Sequence, residues 1–176
     1  VPTLNSFHLL PKLINSLYSQ TCKSWNVLFV DGDSSEDHRN FIKEICLNDK
    51  RFYFVEQKKK YKGIYGAMNL GFNFSDNYDW FFFWGSDDWL ENKFFFEKIF
   101  NKIDDYKNKK YNLFIFKGKY INTKGKLVRE TKFLNLFSLK LSIFFGFIPP
   151  HQATMISKSC LKIVNEYDHN YTLAGD

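Results

Sequence analysis

Cysteine is scarce in this chain. Cys22, Cys46 and Cys160 are the only three among 176 residues, far apart and odd in number. Such spacing makes neither a metal-ligand cluster nor a disulfide framework, and a reducing compartment is the expectation. No run of ~18 or more apolar residues occurs, so no segment is long and apolar enough to cross a bilayer as a helix. No Gly-x-Gly-x-x-Gly follows the first predicted strand, which disfavours a Rossmann-type dinucleotide site. Gly-x-x-x-x-Gly-Lys-Ser/Thr is also missing, which excludes a P-loop NTPase.

Hydrophobic residues make up 44% of the chain and aromatics 20%, which excludes disorder and supports one domain with a real core. The formal charge of +6 suits anionic partners: nucleotide phosphates, an anionic membrane surface or nucleic acid. Nucleic acid is disfavoured, because the aromatics lie in apolar strands and on helix faces rather than interleaved with Lys and Arg.

Along the chain, strand and helix alternate four times. Val1 to Leu4 reads as the tail of a strand, and Asn5 or Ser6 as the cap of a helix bearing Leu10, Leu13, Ile14 and Leu17 at helical spacing. Trp25 to Val30 is a second strand. It ends in the acidic turn Asp31 to Asp37, where Ser34 or Ser35 caps a helix with Phe41, Ile42, Ile45 and Cys46 facing inward. Arg51 to Glu56 is a third strand, Lys58 to Lys62 a basic loop, and a small-residue helix starts near Gly63. Trp80 to Trp84 is a short apolar run bounded by turn residues, the pattern of a strand buried on both faces. Phe96, Ile99, Phe100 and Ile103 mark the next helix. Tyr111 to Ile121 reads as a strand, and Asn122 to Gly125 as a hairpin turn. Segment 133–148 is apolar with one charge, Lys140. It suits an interfacial helix or hydrophobic flap and equally a helix buried in the domain. His151 and Gln152 open a strand over Ala153 to Ile156, followed by a last helix. The alternation predicts an α/β domain with a mostly parallel central sheet, helices on both faces and a small antiparallel part in the second half.

Ligands of open α/β sheets sit beyond the carboxyl ends of the strands. Those ends carry Thr3 and Asn5, Asp31 and Asp33, the Lys58 to Lys62 loop, and Asp87 with Asp88. A carboxylate accepts from the N–H of a pyrimidine base and from ribose hydroxyls, while lysines and a helix N-terminus near Gly63 suit phosphate. Two adjacent acids with nothing basic beside them suit a hard divalent cation bridging a pyrophosphate. Taken alone, these acids read better as turn or cap residues than as ligands.

Five blocks in order carry a resemblance to a known family: Pro2-Thr3-Leu4-Asn5; Ser16 to Thr21 with Val30-Asp31-Gly32-Asp33-Ser34; Gly63 to Gly71; Gly85-Ser86-Asp87-Asp88; and His151-Gln152-Ala153 with Ala174-Gly175-Asp176. The set resembles a family-2, GT-A-fold glycosyltransferase of the bacterial polysaccharide and lipopolysaccharide type. It implies an inverting, metal-dependent, hexosyltransferase-like enzyme in the cytoplasm. Such an enzyme uses a nucleotide-sugar donor, UDP-linked, and a glycan or lipid-linked acceptor. Segment 133–148 is then available for peripheral contact with the inner face of the cytoplasmic membrane. The resemblance puts Thr3, Asn5, Asp31, Asp33, Lys62, Gly63, Asn69 and Asp87 on the nucleotide-sugar. It puts Mn²⁺ or Mg²⁺ on Asp87 and Asp88, Asp176 as catalytic base, and His151 on the acceptor side. Read by themselves, Met68 and Asn69 suit helix packing and turn chemistry. Residues 1–100 form the expected donor half and 101–176 an acceptor half that ends early, as in a fragment. Three positions depart from the family pattern: Gly85 and Gly66 stand where acids are usual, as does Tyr61. These departures leave a second expectation, a nucleotide-binding relic with little or no turnover.

Overall fold

The computed structural model describes residues 1–58, 63–74, 78–105, 111–132, 135–164 and 166–168. Strands β1 (Pro2–Thr3), β2 (Val27–Asp31) and β3 (Phe52–Glu56) form a parallel sheet in the order β1-β2-β3. Its register aligns Thr3 with Asp31 and Asp31 with Glu56, so the three carboxyl ends finish flush.

Side chains of β2 alternate between two faces, as the pleat requires. Val27 and Phe29 point into a cluster with Leu10, Leu13 and Leu17 of α1 (Leu10–Tyr18) and Ile42 of α2 (Glu36–Asn48). Phe29 stacks on Phe52 at 5.9 Å. On the other face lies α3 (Gly63–Asn73). A Cβ at Gly71 would lie in ordinary van der Waals contact with Val30, 3.8 Å away, so that helix packs on the sheet at this point. Pro11 sits in the first turn of α1, where no backbone N–H is needed. The helix has Leu9 at its N-cap without a side-chain bond, so neither Asn5 nor Ser6 caps it. Asn5 instead accepts from the N–H of Ser35, at the start of α2.

The run 80–84 is buried towards both sides as expected, with Phe83 in one apolar cluster and Trp84 in the other. Its ladder is shorter and of the opposite sense: β4 covers only Trp80–Phe81 and pairs antiparallel with β8 (Thr154–Ser157). β8 also pairs antiparallel with β5 (Leu113–Ile115), so the antiparallel part is larger than the sequence suggests. The predicted strand Tyr111 to Ile121 is in fact two. It breaks at Gly118, whose N–H donates to the Thr131 hydroxyl at 2.7 Å and whose missing Cβ would lie 3.4 Å from that of Ala153. Beyond the break, β6 (Lys119–Ile121) and β7 (Leu127–Glu130) form a hairpin around Asn122 to Gly125. Asn122 accepts from the N–H groups of Lys124 and Lys126, and Gly125 has φ 75°. Helix α4 (Phe95–Asp105) packs Phe96 against Trp84, and α6 (Lys158–Val164) follows β8.

Within the apolar segment, α5 (Leu136–Phe144) is capped by Asn135, which accepts from Ser138. The buried-helix expectation does not hold: Phe137, Leu141 and every residue from Ile143 through Ile148 are exposed. An apolar pattern states what a segment prefers, not whether the rest of the chain reaches it.

Candidate functional site

The flush ends of β1 and β2 create a compact polar knot. The Asp31 side chain is fully buried. Its carboxylate accepts from the N–H of Ser34 at 3.0 Å, from the Ser34 hydroxyl and, at 3.4 Å, from the Thr3 hydroxyl. The Ser34 oxygen in turn accepts from the N–H of Asn5 at 2.9 Å, so two loops hang on one carboxylate. His38 of α2, also fully buried, brings Nε2 to 3.5 Å from the same carboxylate. Burial pulls the His38 pKa down, and Asp31 opposes that pull. Asp31 thus stands at the expected strand end but faces inward, with its acceptor sites taken by its own chain. These bonds gather the ends of β1 and β2 and the loops that follow them around the acid expected to hold the base. Asp33 is the opposite case. It has φ 75°, its side chain is 86% exposed, and it lies 3.6 Å from Arg39.

The second polar centre follows the run 80–84. The N–H of Gly85 donates to the Asp88 carboxylate at 2.7 Å, closing a tight turn. A Cβ on Gly85 would lie 2.8 Å from Oδ1 of Asp87 and 3.4 Å from Oδ2 of Asp88. The glycine is therefore the space into which both carboxylates fold. Burial raises the Asp88 pKa, and neighbouring Asp87 raises it further; the Gly85 N–H and His151 oppose the rise. Asp87 itself is exposed. His151 starts the short 3-10 turn His151–Ala153, and the carbonyl of Gln152 in that turn accepts from Trp84 Nε1 at 2.8 Å. So the structure brings His151 within electrostatic reach of Asp88.

The two centres are joined. The Ser6 and Ser86 hydroxyls lie 2.7 Å apart, and Ser86 also donates to the carbonyl of Pro2 at 3.4 Å. The loop after β1 is thus tied both to the knot and to the acid turn. Sequence reading missed both serines, since a lone serine in a turn carries no distinguishing pattern. It also missed Gln57, whose N–H donates to the Asp31 carbonyl and whose side chain donates to the Gly63 carbonyl at 2.8 Å. Gln57 fastens the end of β3 to the start of α3, where Gly63 has φ 80°. Lys62 and Asp176 lie outside the described residues.

Asn69 is placed differently from its expected role. Its side-chain N–H donates to the Tyr167 carbonyl and its side-chain oxygen accepts from the Tyr167 N–H, both at 2.8 Å. Both ends of the amide are used in holding one main-chain residue, the packing role that Asn69 suits when read by itself. Tyr167 is further fixed by stacking on Tyr65 and by an edge contact to Phe83, each at 5.8 Å.

Among the described residues no group of three or more His, Cys, Asp or Glu is arranged around a metal position. The Asp87–Asp88 pair nevertheless fits a hard cation. Two adjacent carboxylates, one with a raised pKa, favour a positive neighbour, and such ions commonly complete their shell with substrate phosphate and water. An apolar cleft of ≈ 680 Å³ lies elsewhere, lined among others by Leu28, Met68, Trp80 and Phe100, and includes neither centre.

A parallel sheet with helices on both faces, a knot at its carboxyl edge and an acid pair tied to that knot define an α/β domain whose polar groups gather beyond the strand ends. The family model for glycosyl transferase family 2 matches residues 1–160, and the chain belongs to that family. Over 107 residues it is 33% identical to glycosyltransferase GlyA of Streptococcus pneumoniae, an alignment covering 60% of this chain and 15% of GlyA. The structure of S. aureus TarS in complex with UDP superposes with a TM-score of 0.77 at 21% identity, covering 99% of this chain and 50% of that one. The mannosyltransferase PcManGT from Pyrobaculum calidifontis, in complex with GDP-Man and Mn²⁺, superposes at 0.65 with 11% identity, over 97% of this chain and 46% of its own. The chain therefore spans half or less of each of these proteins, and the two structures establish the fold.

Proposed function

We propose that this chain is the donor-binding part of an inverting glycosyltransferase. Its donor is a nucleoside diphosphate sugar, UDP-linked, and its acceptor a glycan or a lipid-linked glycan of cell-surface polysaccharide assembly. The carrying observation is that Ser6 and Ser86 tie the knot at Asp31, at the edge of the parallel sheet, to the acid pair at Asp87 and Asp88, which follows β4 of the antiparallel one. One ligand with a base at one end and a diphosphate at the other suits that layout. The UDP complex of TarS supports the donor class, and the Mn²⁺ complex of PcManGT supports the cation.

In this reading Asp31 and Thr3 keep the pocket floor in shape, and Asn5, Asp33 and Gly63 line its rim. Lys62 adds charge near the phosphates. A divalent cation, Mn²⁺ or Mg²⁺, held by Asp87 and Asp88 would neutralise charge on the departing diphosphate. Asp176 takes the proton of the acceptor hydroxyl as its oxygen attacks the anomeric carbon. The bond to the diphosphate breaks on the opposite side, which inverts the centre. His151, beside Asp88, faces the acceptor. The protein works in the cytoplasm, at the inner face of the membrane that carries the acceptor. Gly85 is part of the working turn rather than a sign of decay, because an acid there would displace Asp87.

The test is calorimetric titration with UDP, with and without Mn²⁺, followed by turnover of UDP-sugars. Cation-dependent UDP binding that weakens in Asp87→Asn, together with sugar transfer, is the expected result. Binding without turnover in the whole protein would select the relic reading, and no nucleotide binding would reject both.

A further inference from the structure

We infer that segment 137–148 and the β6–β7 hairpin form one docking surface for an anionic lipid bilayer. The first observation is exposure. Phe137, Phe144 and Phe147 are 76%, 81% and 71% exposed, and Leu141, Ile143 and Ile148 are exposed beside them. A helix apolar nearly all round belongs in a core or in lipid, and α5, with Lys140 as its sole charge, is not in a core. Its nine residues are about 14 Å long, far short of the ~30 Å of a hydrocarbon core, so it would lie in the interface rather than span. Among the described residues no helix is long and apolar enough to cross a membrane.

The second observation is charge. Residues 117–148 hold seven cations and one anion, Glu130, a net +6 that equals the formal charge of the whole chain. Lys124, Lys126, Arg129 and Lys132 lie exposed on or beside the hairpin, where Leu127 and Val128 are exposed as well. Of the cations, Lys119 is neutralised by Glu91 at 2.7 Å. An aqueous two-stranded hairpin is marginal by itself, and this one is exposed along all of β7.

The third observation is that both parts leave the fold at one place. The hairpin closes at Gly118 and Thr131, and the missing Cβ of Gly118 would meet both Ala153 and Pro150, which follow the apolar segment. Apolar side chains for the acyl boundary and a basic hairpin for the headgroups are the two elements that hold interfacial proteins on anionic leaflets. The same segment runs through Pro149 and Pro150 into His151, beside Asp88. Docking there brings the acid pair to the membrane surface. That last consequence, access to a lipid-linked acceptor, rests on the proposed transferase function; the docking itself does not.

The experiment is flotation of the protein with vesicles of phosphatidylglycerol and phosphatidylcholine, against vesicles of phosphatidylcholine alone. Binding is expected to the anionic vesicles. It should weaken about tenfold or more in Phe144→Asp/Phe147→Asp and about tenfold in Lys124→Glu/Lys126→Glu. It should weaken also when salt rises from about 0.1 M to about 1 M, shortening the screening length from ~10 Å to ~3 Å. The lysine variant lies on an exposed turn and leaves the fold untouched, and an unchanged UDP affinity certifies both variants. Absence of vesicle binding, or binding by both double variants that is undiminished from the parent, would overturn the proposal. So would concentration-dependent self-association abolished by Phe144→Asp/Phe147→Asp without vesicle binding, which would make the occupant a second copy. Loss of UDP binding with intact flotation would reject the transferase reading alone.

Discussion

Asp31 and Asp33 are two residues apart in one acidic turn, and their environments set them on opposite courses. Asp31 is fully buried and accepts from a main-chain N–H and two hydroxyls, whereas Asp33 is 86% exposed. Removing a buried carboxylate orphans its donors, each at about 1–3 kcal/mol, while an exposed pair is worth about 0–1 kcal/mol. Asp31→Ala should therefore lower unfolding stability by about 2–4 kcal/mol and Asp33→Ala by less than about 1 kcal/mol, as chemical denaturation will measure. A nucleotide affinity lost in Asp31→Ala at unchanged stability would return Asp31 to direct contact. Asp88 makes a prediction of a different kind. Its pKa is raised by burial and then by Asp87, so it holds its proton to a higher pH than an ordinary carboxyl. A cation must displace that proton. Mn²⁺-dependent UDP binding should therefore be full above the raised pKa and fall as pH drops through it. In Asp88→Asn, calorimetry across pH should show weaker binding with that dependence gone.

At the scale of elements, the most informative contact joins α3 to the segment around Tyr167, 98 residues along the chain. Asn69 satisfies both main-chain groups of Tyr167, and no other side chain of that size presents a donor and an acceptor in that geometry. Asp176, the proposed base, follows eight residues after Asp168. Asn69→Leu should thus cost about 1–3 kcal/mol in stability and lower turnover, with UDP affinity little changed. Asn69→Asp supplies the acceptor but donates only when protonated, so its turnover relative to the parent should recover as pH falls. A variant whose UDP affinity collapses while turnover per bound donor stays constant would mark Asn69 as a donor ligand instead.

At the scale of the whole molecule, the proposed function gives the knot and the acid pair to the donor and the His151 turn to the acceptor, although β4, which leads to the acid pair, shares its sheet with β8. The knot and the acid pair belong to the edge of β1 and β2 and the end of the run 80–84, while β8 and the His151 turn close the other side. A general base that acts only on the acceptor hydroxyl should leave donor binding alone. Asp176→Asn is expected to cut transfer by about 10²–10⁴-fold with UDP affinity unchanged, measured by turnover and calorimetry on the same preparation. An active Asp176→Asn variant would move the base elsewhere, with His151 the next residue to test.

Much of this was legible in the chain. The alternation of apolar runs and turn residues located most of the described helices and the three parallel strands to within a few residues, because periodicity and turn chemistry are written between near neighbours; α1, which starts at Leu10 rather than after Asn5 or Ser6, is the largest miss. The acids at strand ends and the ordered blocks pointed to the family for the same reason. The tertiary structure decided what depends on distant partners. Asp31 turns inward because Thr3, 28 residues earlier, and His38 of the following helix converge on it. Asn69 is held by the main chain of Tyr167, which arrives against α3 from 98 residues away. The run 80–84 pairs in the antiparallel sense because β8 lies beside it. Segment 137–148 stands exposed because no part of the described core reaches it. The sequence determined which side chains stand at the strand ends, for that follows from local periodicity; only the packing of remote segments determined whether each faces its own chain or a ligand.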